Sequence, residues 1–324
     1  QFASRPEPLQ PASEARVELL KLAPDGRLVW RRTLPVREKI GIEGFAISSL
    51  GVVIAGNGEL AVVWSANDPD MSRGPRRRFA TLLRLDADGN VKSDSAIGPP
   101  SPAHGRNDPH GYYELYVYQA AAPDALLLGG GFGSGPYAWW MGKFGLDGRR
   151  LWQAGPGTGF PERVAAAGAR PDGSWLSLVT EQPRDGGLAW FIRRYAADGR
   201  LLARTRLPQP VENEATVLRH GCALVTSADM LDFVDDTGRL LRRAPWPFAQ
   251  TLRLMADGDG IAAIVEASAD MRRVVRADAL GAIRWRSATA DATDIAPTPD
   301  GQLAALVRSG KDGETLRLVR YADP

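Results

Sequence analysis

Cysteine is almost missing from this sequence. The one residue, Cys222, rules out an internal disulfide framework and any multi-cysteine metal site. Histidine is nearly as scarce, with His104, His110 and His220 at spacings that match no zinc pattern. No apolar run approaches the ~18–20 residues needed to cross a bilayer. Neither sign of charge dominates: 40 Lys and Arg face 38 Asp and Glu, for a net charge of +2. That balance excludes the concentrated basic face of a nucleic-acid-binding protein, and no nucleic-acid partner is expected. Lysine contributes 5 of the basic residues and arginine 35. This bias reads as the mark of a GC-rich bacterial genome more than of function.

Catalytic signatures are missing too. No G-x-S-x-G or H-E-x-x-H occurs. The glycine-rich "GGGFGSGPYAWW" (129–140) is neither a dinucleotide fingerprint nor a phosphate loop, and no helix follows it to supply a dipole. It reads as strand, loop, strand. Gly and Pro, 35 and 24 of them, interrupt nearly every window long enough for a helix.

What the sequence does hold is a repeat. "KLAPDGRLVW" (21–30) returns as "RLDADGNVKS" (84–93), "KFGLDGRRLW" (143–152), "RYAADGRLLA" (194–203), "DFVDDTGRLL" (232–241) and "RADALGAIRW" (276–285), and "RLVRYADP" starts it once more. The period is about 40–60 residues, the range of propeller blades and too long for leucine-rich or ankyrin units. Between the turns lie short segments rich in Val, Leu, Ile and aromatics, such as "ELAVVWSA", "SWLSLV" and "GIAAIVEA", bounded by turn formers. The Asp-Gly pair predicts a two-residue hairpin turn, because glycine adopts positive φ without penalty and aspartate tolerates it. Further turns in "RPDGSW", "ADGDGI" and "TPDGQL" mark a second hairpin per unit. Two hairpins make a four-stranded antiparallel blade, and radial stacking buries both of its faces.

The hairpin motif [K/R]-[L/F/Y]-x-x-D-G-x-L-x-W resembles the repeats of bacterial PQQ-like and WD40-like β-propellers over residues 16–324. The tryptophan appears as Trp30, Trp152 and Trp285 and is replaced by Ser93, Ala203 and Arg242 in other copies, so the blades are degenerate. The resemblance implies that these tryptophans pack between blades. PQQ quinoproteins are far larger and carry a vicinal cysteine pair that this chain lacks, so no PQQ is implied.

Six inner-strand starts are expected, at "IEGFA" (42), "YELYV" (113), "PERVA" (161), "NEATV" (213), "AQTLR" (249) and "TDIAP" (293). They predict an all-β, six-bladed propeller with seven blades as the alternative, closed by the N-terminal strand region of 16–34 pairing with "TLRLVRYA". Residues 16–324 form one domain on this reading, and 1–15, rich in Pro, Ser, Ala and Glu, form a solvated tether. Such a tether suits an exported protein or a lipid-anchored precursor, so a periplasmic or secreted location is expected, with the cytoplasm as the alternative.

The second residue of the six starts is Glu43, Glu114, Glu162, Glu214, Gln250 and Asp294. Five carboxylates and an amide would ring one mouth of the channel. Like charges there call for a cation such as Ca²⁺, an arginine-rich partner, or compensating arginines near in sequence (Arg37, Arg106, Arg163). Six-bladed hydrolases and lactonases are similar in holding calcium at that place, although their Asn and Asp ligands are not evident here. On the same side, "SPAHGRNDPHGYYE" carries His104, His110, Asp108 and Tyr112, and the loop 65–79 carries Arg73, Arg76, Arg77 and Arg78. Tyr137, Trp139, Phe160, Trp246 and Phe248 gather in nearby connections; exposed Trp, Tyr and Arg are the usual anchors of interfaces. Cys222 and His220 in "RHGCALV" are two apart on a strand without a third member, so burial is expected rather than a nucleophile.

Three functions follow from these expectations. The first is a non-enzymatic propeller that grips a protein or peptide through its channel-mouth face, as an envelope assembly factor or a toxin-immunity protein would. The second is a calcium-dependent hydrolase, lactonase or lyase at the acidic ring, with His104 or His110 as base. The third is a carbohydrate-binding propeller stacking sugars on the mouth aromatics.

Overall fold

The computed structural model describes residues 18–23, 25, 27–34, 47–54, 58–66, 80–97, 112–113, 116–118, 125–133, 138–154, 163–170, 172–181, 187, 189–208, 211–226, 229–268, 271–288, 291–298, 301–309 and 315–321. Two compact units divide the chain at Thr158 and Gly159. The first unit begins with a hairpin of β1 (Glu18–Leu22) and β2 (Leu28–Thr33). A sheet of β3 (Ile47–Ile54), β4 (Leu60–Ala66), β5 (Ala80–Leu85) and β6 (Val91–Ile97) follows. In its last sheet β7 (Tyr112–Tyr113) and β8 (Tyr116–Tyr118) both pair with β9 (Ala125–Gly133), which continues to β10 (Ala138–Gly145) and β11 (Arg150–Ala154).

The second unit holds four sheets. They are β12 (Arg163–Ala169) to β15 (Leu201–Arg206) through β13 (Trp175–Glu181) and β14 (Ala189–Tyr195), and β16 (Val211–Leu218) to β19 (Leu240–Pro245) through β17 (Gly221–Thr226) and β18 (Met230–Val234). The third runs β20 (Thr251–Asp257), β21 (Gly260–Ser268), β22 (Met271–Ala277), β23 (Ile283–Arg286), and the fourth β24 (Asp291–Pro297), β25 (Leu303–Ser309), β26 (Thr315–Tyr321). Every sheet is antiparallel with strands in chain order. The chain is an all-β, six-bladed β-propeller of four-stranded antiparallel blades. Among the described residues the ladder partner of β26 is β25 and that of β1 is β2, so the expected pairing of 16–34 with 315–322 is not one of these ladders.

The repeated turn differs from the one expected. In "RLDADGN" the Gly89 amide donates to the Asp86 carbonyl at 3.0 Å and the Asp86 amide to the Asn90 carbonyl at 2.9 Å, with a register shift at Arg84/Leu85. That is a longer hairpin loop, a β-turn closed by a bulge, rather than a two-residue turn. Only the glycine takes positive φ, 79° at Gly89, and the aspartate does not. Aspartate serves instead as an acceptor: the Asp147 carboxylate takes the Arg149 amide, and Asp198 the Arg200 amide. The glycine is needed a second time for space, since a Cβ on Gly89 would lie 3.1 Å from the Trp30 ring. Trp30 is buried there, and its indole N–H donates to the Ala87 carbonyl at 3.2 Å. The repeat's tryptophan thus stacks on the turn of the following sheet, as the resemblance implied.

Both faces of the middle strands are buried, which explains why they read as continuous apolar runs. In the second unit, alternation sends Leu176 and Leu178 of β13 against Cys222 and Leu224 of β17. The other face of β17, Ala223 and Val225, packs on Ile261, Ala263 and Val265 of β21. Ala262 and Ile264 then meet Leu303, Ala305 and Val307 of β25. At ~25 cal/mol per Å² of apolar area, each such leucine or isoleucine contributes about 2 kcal/mol.

The basic residue that opens the repeat also gains a reason. It joins the third strand to an acid at the junction of the first and second strands in the same sheet: Arg84 to Glu59, Arg194 to Asp172, Arg276 to Asp257. Hydrogen bonds from Lys92 and then Arg84 hold the Glu59 carboxyl down at about 2. A depressed folded value contributes stability that is present above the ordinary glutamate range and lost as pH falls towards 2. Replacing Glu59→Gln is therefore expected to lower the melting temperature at pH 7 and to flatten its fall between about pH 4.5 and 2. Melting curves across that range check it; parallel wild-type and variant curves would contradict it.

Candidate functional site

In the second unit the first strands of the four sheets, β12, β16, β20 and β24, lie side by side in order. Each carries a register shift near its start. The shifts decide which side chains align. Arg253 and Asp294 are each the first residue after the shift, opposite Ile264 and Leu306. Glu214 lies within the corresponding shifted stretch of β16, next to Ala215 and its partner Leu224. The position expected to hold Gln250 therefore holds Arg253. Gln250 stands outside the strand, its side chain exposed and its carbonyl taking the Glu266 amide at 2.9 Å.

This substitution changes the electrostatics. An acid, an arginine and an acid follow one another on β16, β20 and β24, rather than a run of acids and an amide. Arg253 Nε lies 3.6 Å from Asp294 Oδ1, with both side chains more than half exposed. A pair that open to water contributes only about 0–1 kcal/mol, so it can be exchanged for a partner's charges at little cost. Asp294 Oδ1 also accepts the Ile295 amide at 2.9 Å, which orients the carboxylate. One strand start away, Arg272 donates to the Ala292 carbonyl at 3.1 Å and lies 3.5 Å from Asp291.

The aromatics divide. Trp246 is fully buried, in the core shared by the sheets of β16–β19 and β20–β23, and its indole N–H donates to Thr251 Oγ1 at 2.9 Å. It is a core residue, not the face residue expected, because the "APWPFAQ" connection folds inward to cap the sheet. Phe248 stays half-buried, edge-on to Trp246 at 4.9 Å, with the Arg286 guanidinium 5.4 Å over its ring. Tyr112 falls in β7 and Trp139 in strand β10, opposite Gly131, rather than in a loop.

Glu43, Glu114, Glu162, Arg76, Arg77, Arg78, His104, His110, Tyr137 and Phe160 lie outside the described residues, and with them the calcium reading of the full ring. Among the described residues no group of three or more His, Cys, Asp or Glu is placed to hold a metal. His220 is exposed in the turn before β17, while Cys222 is fully buried and desolvation pushes its thiol up to about 12. That thiol is neutral and inert at physiological pH. A cavity of about 20 Å³ beside Leu207, Thr226 and Asp232 has room for about one water, not a substrate.

No protein-family model matches this chain, and no curated protein matches it. Solved structures do. BBS1N in complex with ARL6DN is 15% identical with a TM-score of 0.55, over 92% of this chain and 83% of that one. The Dos1 propeller is 11% identical with a TM-score of 0.53, over 89% and 70%. The WD40 β-propeller domain of Doa1 is 12% identical with a TM-score of 0.50, over 85% and 86%. These likenesses concern the fold. The propeller is shared; the residues are not.

Arg253 was the functional candidate that sequence alignment missed. The signal for it was present in principle: apolar Leu252 and Leu254 flank it as they do an outward-facing strand residue. Arg253 lies three residues beyond Gln250, because β20 begins only at Thr251 and its register shifts between Thr251 and Arg253, and neither feature has a sequence mark.

Proposed function

We propose that this propeller is a non-enzymatic binding module that recognises a protein or peptide through the mouth of its inner strands. One observation carries the reading: Gln250 just before β20, Arg253 on β20 and Asp294 on β24 stand exposed, with an ion pair that water already loosens. Such a surface offers directional donors and acceptors of both signs at a fixed spacing, which is suited to reading another polypeptide. The half-buried Phe248 under Arg286 adds an apolar shoulder at the same end of β20. The fold is also seen with a partner protein in BBS1N bound to ARL6DN. An envelope location, as assembly factor or immunity protein, is the setting in which we place it.

The test is affinity purification of the full chain from its native organism, with quantitative mass spectrometry. A partner at near-stoichiometric yield is expected, reduced at least tenfold by the charge swap Arg253→Glu with Asp294→Arg. The swap keeps the pair and is expected to leave melting within about 1 kcal/mol of wild type. Equal recovery with the swapped protein, or no stoichiometric protein at all, would remove this site from the proposal.

A further inference from the structure

Most of the outermost strands share a charge pattern that the near-neutral total conceals; β6, with Lys92 and Asp94, does not. Strands β2, β15, β19 and β23 carry two arginines each and β11 one, with no acidic residue in any of the five. Most of these arginines are engaged. Arg243 pairs with Asp232, Arg284 with Asp278, Arg242 donates to the Leu280 carbonyl, and Arg286 covers Phe248.

Strand β15, LLARTR, is different. Among the described residues it is, like β19, an edge strand with one ladder partner, here β14, and every residue but Thr205 is exposed. Among the described residues Arg206 has no ion-pair partner. Arg204 shares the buried Glu181 carboxylate with Arg193, so two cations meet one anion there. Arg204 also lies 3.8 Å over the Phe191 ring. The local balance is a surplus of positive charge along the strand.

The backbone points the same way. The Leu207 amide donates inward to the Trp190 carbonyl at 2.8 Å. By alternation in an antiparallel ladder, Thr205 and Ala203 also face β14, and the amides and carbonyls of Arg204 and Arg206 face outward; the alternation stops at the register shift between Ala203 and Leu201. The outward groups thus belong to two residues whose side chains share one face, Arg204 and Arg206. Natural edges are guarded by charge, but guarding alone does not account for Leu201 and Leu202 lying 47% and 43% exposed beside them.

We infer that the β15 edge takes an extended acidic peptide as a fifth strand of its sheet. Main-chain hydrogen bonds to Arg204 and Arg206 supply the register. Acidic side chains at alternate positions of the peptide meet Arg204 and Arg206.

The probe is a capped ten-residue peptide alternating glutamate and valine, carrying a fluorophore and titrated with the full chain at 20 mM and 300 mM salt. Saturable binding is expected, weakened at least tenfold by Arg206→Glu, a residue whose side chain has no ion pair among the described residues. Two versions N-methylated on alternate residues are compared: the phase facing β15 loses binding and the other keeps it. Hydrogen exchange slows at the Arg204 and Arg206 amides. No saturation by millimolar peptide, equal binding of both methylated versions, or unchanged binding by Arg206→Glu would each overturn strand addition. So would an oligonucleotide or a phosphatidylserine vesicle that binds in an Arg206-dependent way where the peptide does not.

Discussion

Gly221→Ala is expected to prevent folding of the β16–β19 sheet, with a cost of about 4–5 kcal/mol or more. Gly221 opens β17 at φ 124°, and a Cβ built there would sit 1.9 Å from the Val234 carbonyl oxygen and 3.1 Å from the Asp235 Cα. Both obstacles are backbone, held by the β17–β18 ladder in which Cys222 faces Val234. Neither can retreat without breaking that ladder. The comparison that isolates the clash is Gly301→Ala. Gly301 has φ 80° and nothing within 4 Å of its Cβ position, so only the left-handed conformation is penalised, at about 1 kcal/mol. Urea unfolding followed by circular dichroism reads both variants. Equal losses would show that conformation, not collision, sets the cost at Gly221.

Arg170→Met is expected to cost about 3 kcal/mol, a fall of roughly 6–10 °C in Tm. Arg170 follows β12 and is 8% exposed. It donates to both Asp236 carboxylate oxygens, at 2.6 and 2.7 Å, and to the Leu218 carbonyl at 2.9 Å. It therefore ties the first sheet of the second unit to two separate points of the next, the end of β16 and the β18–β19 turn. Removing it leaves a partly buried carboxylate and a carbonyl without their donor, and the cost comes from those groups more than from the lost attraction. Asp236→Asn keeps a polar acceptor and is expected to cost clearly less. A double-mutant cycle measures the pair; a coupling near zero would show that the two sheets hold together by apolar packing alone.

Much of this architecture was legible because it rests on local chemistry repeated along the chain. Glycine at a fixed place in each hairpin, apolar middle strands and a period of about 40–60 residues allow few folds other than a propeller. That Trp30 packs between sheets was implied by the resemblance, whereas Gly89 as its partner came from the structure. The turn type was not legible. Asp-Gly fits either loop length, and the choice was made by the register shift before it, where the strand twist is absorbed. Trp246 was misplaced because "APWPFAQ" has no periodicity to show which way a ring turns. Its burial follows from the Thr251 hydroxyl and the apolar faces of two sheets waiting for it.

By itself, the sequence determined the class, the repeat and the inward faces of the strands, because hydrogen-bond closure and apolar burial act over a few neighbouring residues. Only the tertiary structure decided which charged side chains stand together. Arg253 beside Asp294, and Arg193 with Arg204 on Glu181, join residues from different strands. Their meeting depends on the register between strands, and side-chain direction reverses with each one-residue change of it.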